Sequence, residues 1–531
     1  MSAEPERYDL IVIGAGINGA AIAREAALSG LSVGVFEQDD MGSGTSAAST
    51  RLIHGGLRYL EHAEFSLVFE SLAERERLLR TAPHLVEALG IYLPVYAGAK
   101  RKRWQVSAGM QLYDLLSAGK SLPRHRMLDR AELRQRLPAL RGERLLGGAH
   151  YFDAQVRFPE RLVIENLIDA AEHGCSIRTH TQVLEICRER GPVSGIKWRE
   201  RGGCSGEALA PIIVNAAGPW VDVVLAGLSQ RQLIGGTKGS HVIVRPFPGA
   251  PGAAIYVEAQ SDGRPFFIVP WNGLYLIGTT DQRFAGEPGS AAIDAAELAY
   301  LVNETQQVLP GAAGLAEHIA YTQAGVRPLP HRPKGATAAI TRRHIVHVHR
   351  DPAGLISVVG GKLTTHRALA EDVMRRMRRY HPGLPRLSPT RERPLPGGVE
   401  TCASVLAALP ASIDAQQAQR LWRVYGARAP KVIEPVRTGT ELGERVAPGS
   451  AVWVAELVHA IENEMARSLV DILHRRCMAG LDADFGWATA QPAAQWLLRL
   501  GFWDKARTEA ELADFREYAA RHRAAEPLAS G

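Results

Sequence analysis

Residues Asp9–Glu37, DLIVIGAGINGAAIAREAALSGLSVGVFE, decide the fold. The apolar run Leu10–Ile13 reads as a strand, GAGING as a tight turn, AAIAREAALSG as a helix and SVGVFE as the next strand. Gly14, Gly16 and Gly19 carry the GxGxxG spacing, which lets the backbone approach a pyrophosphate at the positive end of the helix. Ala23 keeps that helix close to the sheet. Glu37 ends the second strand where a carboxylate receives the ribose hydroxyls of an adenosine. An incidental glycine turn would not come with strand, helix and acid in this order, so a dinucleotide-binding βαβ unit is expected.

Working outward, Ile212–Gly218 (IIVNAAG, with Ala217 and Gly218 at its end) and Leu355–Gly361 (LISVVGG) read as further strands of the same sheet. Between them TKGSHVIV, PFFIVPW and LYLIGTTD are closely spaced apolar strands that imply a second, mostly antiparallel sheet inserted into the first unit. The fold class is therefore α/β: a Rossmann-like nucleotide-binding domain with an inserted, mostly antiparallel substrate domain. The nucleotide-binding segments are expected at about 1–85, 150–220 and 320–380, and the substrate or cap segments at about 86–149 and 221–319. HPGLPRLSPTRERPLPGGVE, ending at Glu400, is a Pro/Gly-rich linker. A C-terminal helical domain follows at 391–531. In it Val454, Leu457, Val458, Ile461, Met465, Leu469, Ile472 and Leu473 share one helical period, with Glu456, Glu462 and Glu464 early and His474, Arg475 and Arg476 late, as a helix dipole prefers. No catalytic cluster shows there, and a structural or assembly role is expected.

The chain has 531 residues, 46% hydrophobic and 22% charged, enough for two or three domains. Its five cysteines form no CxxC pair, which fits a reducing cytoplasm better than a disulfide or zinc framework. No secretion signal is expected. The longest greasy stretch, Pro211–Leu228, is interrupted by Asn215, Pro219 and Asp222, so no membrane span is expected either. A net charge of +6 suits a membrane surface, nucleic acid or anionic metabolites without choosing among them. His347 and His349 share one face of a strand but lack Cys or carboxylate partners; a solvent-facing strand, not a metal site, is expected.

The glycine fingerprint alone does not separate FAD from NAD. Met41–Ser49, MGSGTSAAS, has small residues and hydroxyls, Thr45 and Ser46 among them, able to follow an extended dinucleotide toward a flavin. It runs into Leu52–Leu60, LIHGGLRYL, which packs His54, Gly55, Gly56, Arg58 and Tyr59 into nine residues. Far downstream GGKLTT places Gly361, Lys362, Leu363 and Thr364 at a helix start, whose amides could face the flavin pyrimidine.

Taken in series, GAGING, LIHGGLRYLE, NAAGPW, KGSH, IGTTD, GVRPL, AITR, GGKLTT and the C-terminal ENEMARSLVDILHRR resemble the FAD-dependent, quinone-linked glycerol-3-phosphate dehydrogenases of the amino-acid-oxidase-like superfamily. The resemblance covers nearly the whole chain. It implies FAD as cofactor, held by Gly14, Gly16, Gly19, Glu37, Thr45, Ser46, Gly55, Gly56, Ala217, Gly218 and Gly361–Thr364. It implies oxidation of glycerol 3-phosphate to dihydroxyacetone phosphate, with Arg58, Tyr59, Thr280, Arg327, Arg342 and Lys362 at the substrate and His54, Arg58 and Arg327 in catalysis. His54 is the first candidate base, because an unperturbed imidazole titrates near neutrality, and Arg327 is the alternative as stabiliser of alkoxide charge. Membrane quinone is the implied acceptor, reached from the inner face of the cell membrane without a span; no nucleic acid partner is implied, and a homodimer is compatible. An oxygen-using glycerophosphate oxidase is the nearest rival, and a flavin-binding protein without catalysis a further one. Three departures stand out: Arg51 and His366 where the family commonly has lysine and tyrosine, and NAAG for NATG. Finally, Lys100–Arg103 with Trp104, Val106, Met110, Leu112, Leu115 and Leu116 reads equally as a basic amphipathic lipid contact or an ordinary packed helix.

Overall fold

The computed structural model describes residues 4–229 and 231–523. A six-stranded sheet runs in the order Ile345–Val348, Leu355–Val359, Ile213–Asn215, Leu10–Ile13, Val33–Phe36, Ser176–Arg178. All neighbours are parallel except the first pair, so the two expected returns do join the glycine-turn strand on one side. Leu10–Ile13 is buried on both faces, which is why it reads as a continuous apolar run. Leu10 and Val12 pack under the helices Ile17–Leu28, Pro159–Glu172 and His366–Met377, where Arg24 donates to Asp169 at 2.6 Å. Ile11 and Ile13 point the other way, onto a four-stranded sheet formed by Glu6–Arg7, Ser205–Leu209, Val193–Glu200 and Thr181–Arg188. The sequence reading did not anticipate that sheet.

A ten-stranded sheet holds Thr237–Val244, Pro265–Trp271 and Leu274–Gly278, as expected, together with the long strands Val86–Tyr96, Leu145–Val156 and Ile319–Arg327. It is antiparallel apart from the pairing of Ala254–Glu258 with Val86–Tyr96. The expected borders at 150 and 320 therefore fall inside strands of this sheet, because these strands run without a break from one layer toward the other. The expected solvent-facing histidine strand lies at the sheet edge but faces solvent only in part: His347 is half-buried, and His349, just past its end, is buried and bonded to Ser357 Oγ at 2.9 Å.

The C-terminal residues form helices, among them Ala415–Tyr425, Val454–Glu462, Trp487–Arg499 and Lys505–Ala520. The single helix expected across Val454–Arg476 is broken. Met465 takes a left-handed φ of 56°, and a short helix, Leu469–Asp471, then leads into a wider turn, Ile472–Arg476. Val454 and Leu457 before the break and Leu469, Ile472 and Leu473 after it enter the same core, so the apolar spacing survives the interruption. Arg475 and Arg476 do not serve a helix end. Both are buried against Asp40, at 2.5 and 2.6 Å, and Arg475 also holds Asp471, which His180 reaches at 2.9 Å. Arg161 is likewise fixed by Glu464 at 2.6 Å, with Arg428 bridging Glu464 and Glu165. Buried charges joined in this way tie the helical region to the nucleotide-binding layer.

Candidate active site

A cavity of about 780 Å³ follows the carboxyl end of the six-stranded sheet. Its walls include Gly14, Gly16, Glu37, Thr45, Ser46, Ala217, Gly218, Gly361, Lys362 and Leu363. Gly16 caps the helix Ile17–Leu28 without a side-chain bond, which leaves first-turn amides for an anion. Gly14 lies at φ 100°, and a Cβ on Gly19 would stand 1.9 Å from the Gly14 carbonyl oxygen, so turn and helix meet only without side chains. Ser46 Oγ accepts from the Ile17 amide at 3.0 Å, drawing the small-residue loop over the turn. Glu37 accepts from the amides of Ala15 and Asp39, while burial pushes its carboxyl up to about 7. The buried Asn18 Oδ1 is unpartnered at the same end. These donors, acceptors and glycine clearances fit an extended dinucleotide.

Gly19, Gly55, Gly56 and Thr364 do not line this cavity. Gly55 donates to Asp153 and to the Tyr113 hydroxyl, Gly56 (φ 83°) clears space for the Tyr59 ring, and Thr364 Oγ1 accepts from the His54 amide at 3.2 Å. They instead set the course of the segment that carries His54, Arg58 and Tyr59. His54 and Tyr59 stack with centroids 6.3 Å apart, and Lys362 Nζ lies 4.6 Å over the Tyr59 ring while donating to Ser71 Oγ at 2.8 Å. Burial raises the Tyr59 phenol, opposed by the charges of Arg342, Arg58 and Arg327. Tyr59 and four more of the six residues expected at the substrate are thus grouped: Lys362 lies over its ring, and the charges of Arg342, Arg58 and Arg327 act on its phenol. The sixth, Thr280, does not join them: just past the end of strand Leu274–Gly278, its hydroxyl turns inward to donate to Glu297 at 2.7 Å. Thr279 Oγ1 accepts from Arg327 Nη2 at 2.9 Å in its place.

Electrostatics also revise the role of His54. Burial, with Lys362 and Arg75 nearby, pushes its imidazole down to about 3, so neutrality of the free side chain is no argument for its choice as base. Burial takes Lys362 down to about 7 and Arg327 to about 10. Asp281 lies between Arg327 (3.3 Å) and Arg342 (3.4 Å), and although burial raises its carboxyl, the two guanidiniums hold it below its usual range. Sequence reasoning missed Asp281, His241 and Gly239. His241 is buried with Nε2 2.9 Å from Thr50 Oγ1 and Nδ1 unpartnered, and a Cβ on Gly239 would collide with Arg327 at 2.1 Å. A histidine within the wholly buried strand TKGSHVIV was the available signal. Two departures also find a reason. Arg51 forks onto Glu160 at 2.8 and 2.9 Å beneath Trp271, which a lysine could not do bidentately, and His366 Nδ1 pairs with the Leu363 carbonyl at 2.8 Å. Asp40, His180 and Asp471 lie close enough to share an ion, but Arg475 and Arg476 already neutralise the two carboxylates.

Residues 9–394 match the FAD dependent oxidoreductase family, and residues 388–508 match the C-terminal domain of alpha-glycerophosphate oxidase. The protein is thus an FAD-dependent oxidoreductase, a class consistent with the glycine turn and the cavity. A glycerol-3-phosphate dehydrogenase of Synechocystis sp. is 42% identical, over 96% of each chain. A D-erythritol 1-phosphate dehydrogenase of Brucella abortus is 38% identical, over 89% of this chain and 95% of that one. The crystal structure of the glycerol-3-phosphate dehydrogenase from Bacillus halodurans complexed with FAD superposes with a TM-score of 0.80 at 25% identity, covering 100% of this chain and 97% of that one. The chain belongs to the FAD-dependent glycerol-3-phosphate dehydrogenase family.

Proposed function

We propose that the protein oxidises sn-glycerol 3-phosphate to dihydroxyacetone phosphate and delivers the electrons to membrane quinone. The observation that carries this reading is the convergence of Arg58, Arg327, Arg342 and Lys362 on Tyr59. A dianionic phosphate needs such a set, and planar guanidiniums bind it through paired N–H groups. Bound FAD supplies a hydride acceptor for the C2 hydrogen at its N5. His54 is neutral across the working range and takes the C2 hydroxyl proton as the hydride leaves. Burial chiefly, with repulsion from Lys362 and Arg75, disfavours the imidazolium, and the phosphate dianion offsets the charge part of that penalty. Arg327, brought down to about 10 by burial and so still protonated at neutral pH, stabilises the negative charge that develops on the C2 oxygen.

This arrangement has a pH signature. Lys362 is depressed, so its ammonium is present below about 7 and is lost as the pH rises through that value. KM for glycerol 3-phosphate is therefore expected to climb in steady-state assays between about pH 7 and 9, and Lys362→Arg, which stays charged, should flatten the climb. A wild-type KM that is level over that range would remove Lys362 from the phosphate site.

The same residues could hold a longer phosphorylated polyol, as the 38%-identical D-erythritol 1-phosphate dehydrogenase indicates, and comparing kcat/KM for the two phosphates decides between them. For the acceptor, support comes from the surface. Helix Arg103–Leu116 turns Val106, Met110 and Tyr113 inward but leaves Trp104 and Leu115 67% and 70% exposed, and Phe65 and Phe69 project from helix Phe65–Thr81. Arg101 is spent on ion pairs with Glu61 and Glu258, so Lys100, Lys102 and Arg103 carry the basic character. Among the described residues no helix is long and apolar enough to cross a membrane. Reversible docking of this face on the inner leaflet of the cell membrane fits such a surface, with salt weakening the charge contribution and Trp104 retaining the rest. Anaerobic addition of glycerol 3-phosphate should bleach the flavin, and quinone in anionic vesicles should restore its colour. Rapid oxygen consumption with no response to quinone would instead make the protein an oxidase, as the match of residues 388–508 allows.

A further inference from the structure

Every contact made to the Arg327 and Arg342 guanidiniums by the segment after strand Leu274–Gly278 comes from three successive residues. Thr279 Oγ1 and the Thr280 carbonyl accept from Arg327 Nη2 at 2.9 and 3.2 Å, and the Asp281 carboxylate spans both arginines. What fixes this turn lies behind it. Glu297, in the first turn of helix Ala295–Val308, is 1% exposed and touches neither guanidinium. It accepts from Thr280 Oγ1 at 2.7 Å, from Ser240 Oγ at 2.9 Å and from Lys238 Nζ at 2.9 Å. Thr280 Oγ1 in turn accepts from the Ser240 amide at 2.9 Å, closing the link to the strand over which Arg327 lies. A glutamate serving only to cap its own helix, as Glu297 does with Asp294, has no need of burial or of three further donors. Inside a protein such a network is rigid when fully satisfied, and one broken member loosens the rest.

We propose that Glu297 is a positioning residue for substrate binding: it fixes the Thr279–Asp281 turn, which sets the spacing and angle of the Arg327 and Arg342 guanidiniums that grip the substrate phosphate. The inference rests on the proposed glycerol phosphate site. Its test uses full-length, flavin-loaded Glu297→Gln, nearly isosteric but unable to accept from all three donors, with inorganic phosphate as a competing anion. KM for glycerol 3-phosphate and the phosphate inhibition constant should rise together by about tenfold, flavin reduction at saturating substrate should slow because Arg327 also faces the C2 oxygen, and flavin content should stay at the wild-type level. Thr280→Val should reproduce the effect and Thr280→Ser should largely restore wild-type behaviour, and the Gln/Val double variant should be little worse than either alone. If Glu297→Gln fails to fold, Thr280→Val carries the test. A merely structural glutamate would lower thermal stability and leave both constants within about twofold of wild type, which overturns the proposal. Should phosphate fail to compete in the wild type, and Arg327→Ala leave KM unchanged, the underlying site assignment is what has failed.

Discussion

Arg327→Ala is expected to lower kcat/KM for glycerol 3-phosphate by about a hundredfold, equivalent to about 3 kcal/mol of transition-state stabilisation. Two effects add. A charge-assisted contact to the phosphate or developing alkoxide disappears, and Asp281, now facing Arg342 alone, becomes a nearby negative charge that opposes the incoming dianion. Flavin content should hardly change, because Arg327 is no wall of the cofactor cavity. Arg327→Lys should recover only part of the loss: a single ammonium nitrogen cannot reach both the Asp281 carboxylate, met from Nη1, and Thr279 and Thr280, met from Nη2. Stopped-flow flavin reduction, with the absorbance ratio of flavin to protein as control, measures both quantities. A variant with wild-type reduction kinetics would move the phosphate elsewhere.

Gly16→Val is expected to give a folded protein without its yellow colour. The turn it occupies leaves helix amides open, and a side chain there would project toward Ser46 Oγ, already only 3.4 Å from where a Cβ would stand. Valine adds two methyls beyond that point, into the space an approaching pyrophosphate needs. Loss of binding should be nearly complete in fluorescence titration of the apoprotein with FAD, at concentrations that saturate the wild type. Full retention of flavin by the variant would refute the reading of this turn.

Why these positions could be named from sequence while others could not has a physical basis. The glycine turn announces itself because its requirements are local: a buried strand, missing side chains at fixed spacing and a helix that follows at once. Thr181–Arg188, TQVLEICR, gives no such signal, since one side faces Ile11 and Ile13 while the other meets water, and the mixed pattern reads as loop. The cations of the site were legible as members of motifs, but the carboxylates behind them were not: Asp281 stands 46 residues from Arg327, and Glu297 reaches Thr280 from a helix that only the fold brings against this turn. For the same reason the sequence could not tell which of Thr279 and Thr280 faces the arginines. His54 was found by its neighbours, yet its depressed imidazole depends on burial and on Lys362 and Arg75, which arrive from other elements.

The charges shared by Asp40, Arg475 and Arg476, and by Arg161, Glu464 and Arg428, limit how this gene product could be shortened. Ending the chain in the Pro/Gly-rich linker would strip Asp40 of both its guanidiniums and Arg161 of Glu464, and would open to water the apolar surface around Val68, Leu72 and Phe158 that shares a core with the tail. A truncated version would therefore lose both the ion pairs and the apolar cover that join the tail to the rest of the molecule, and it is expected to melt at a markedly lower temperature than the full chain.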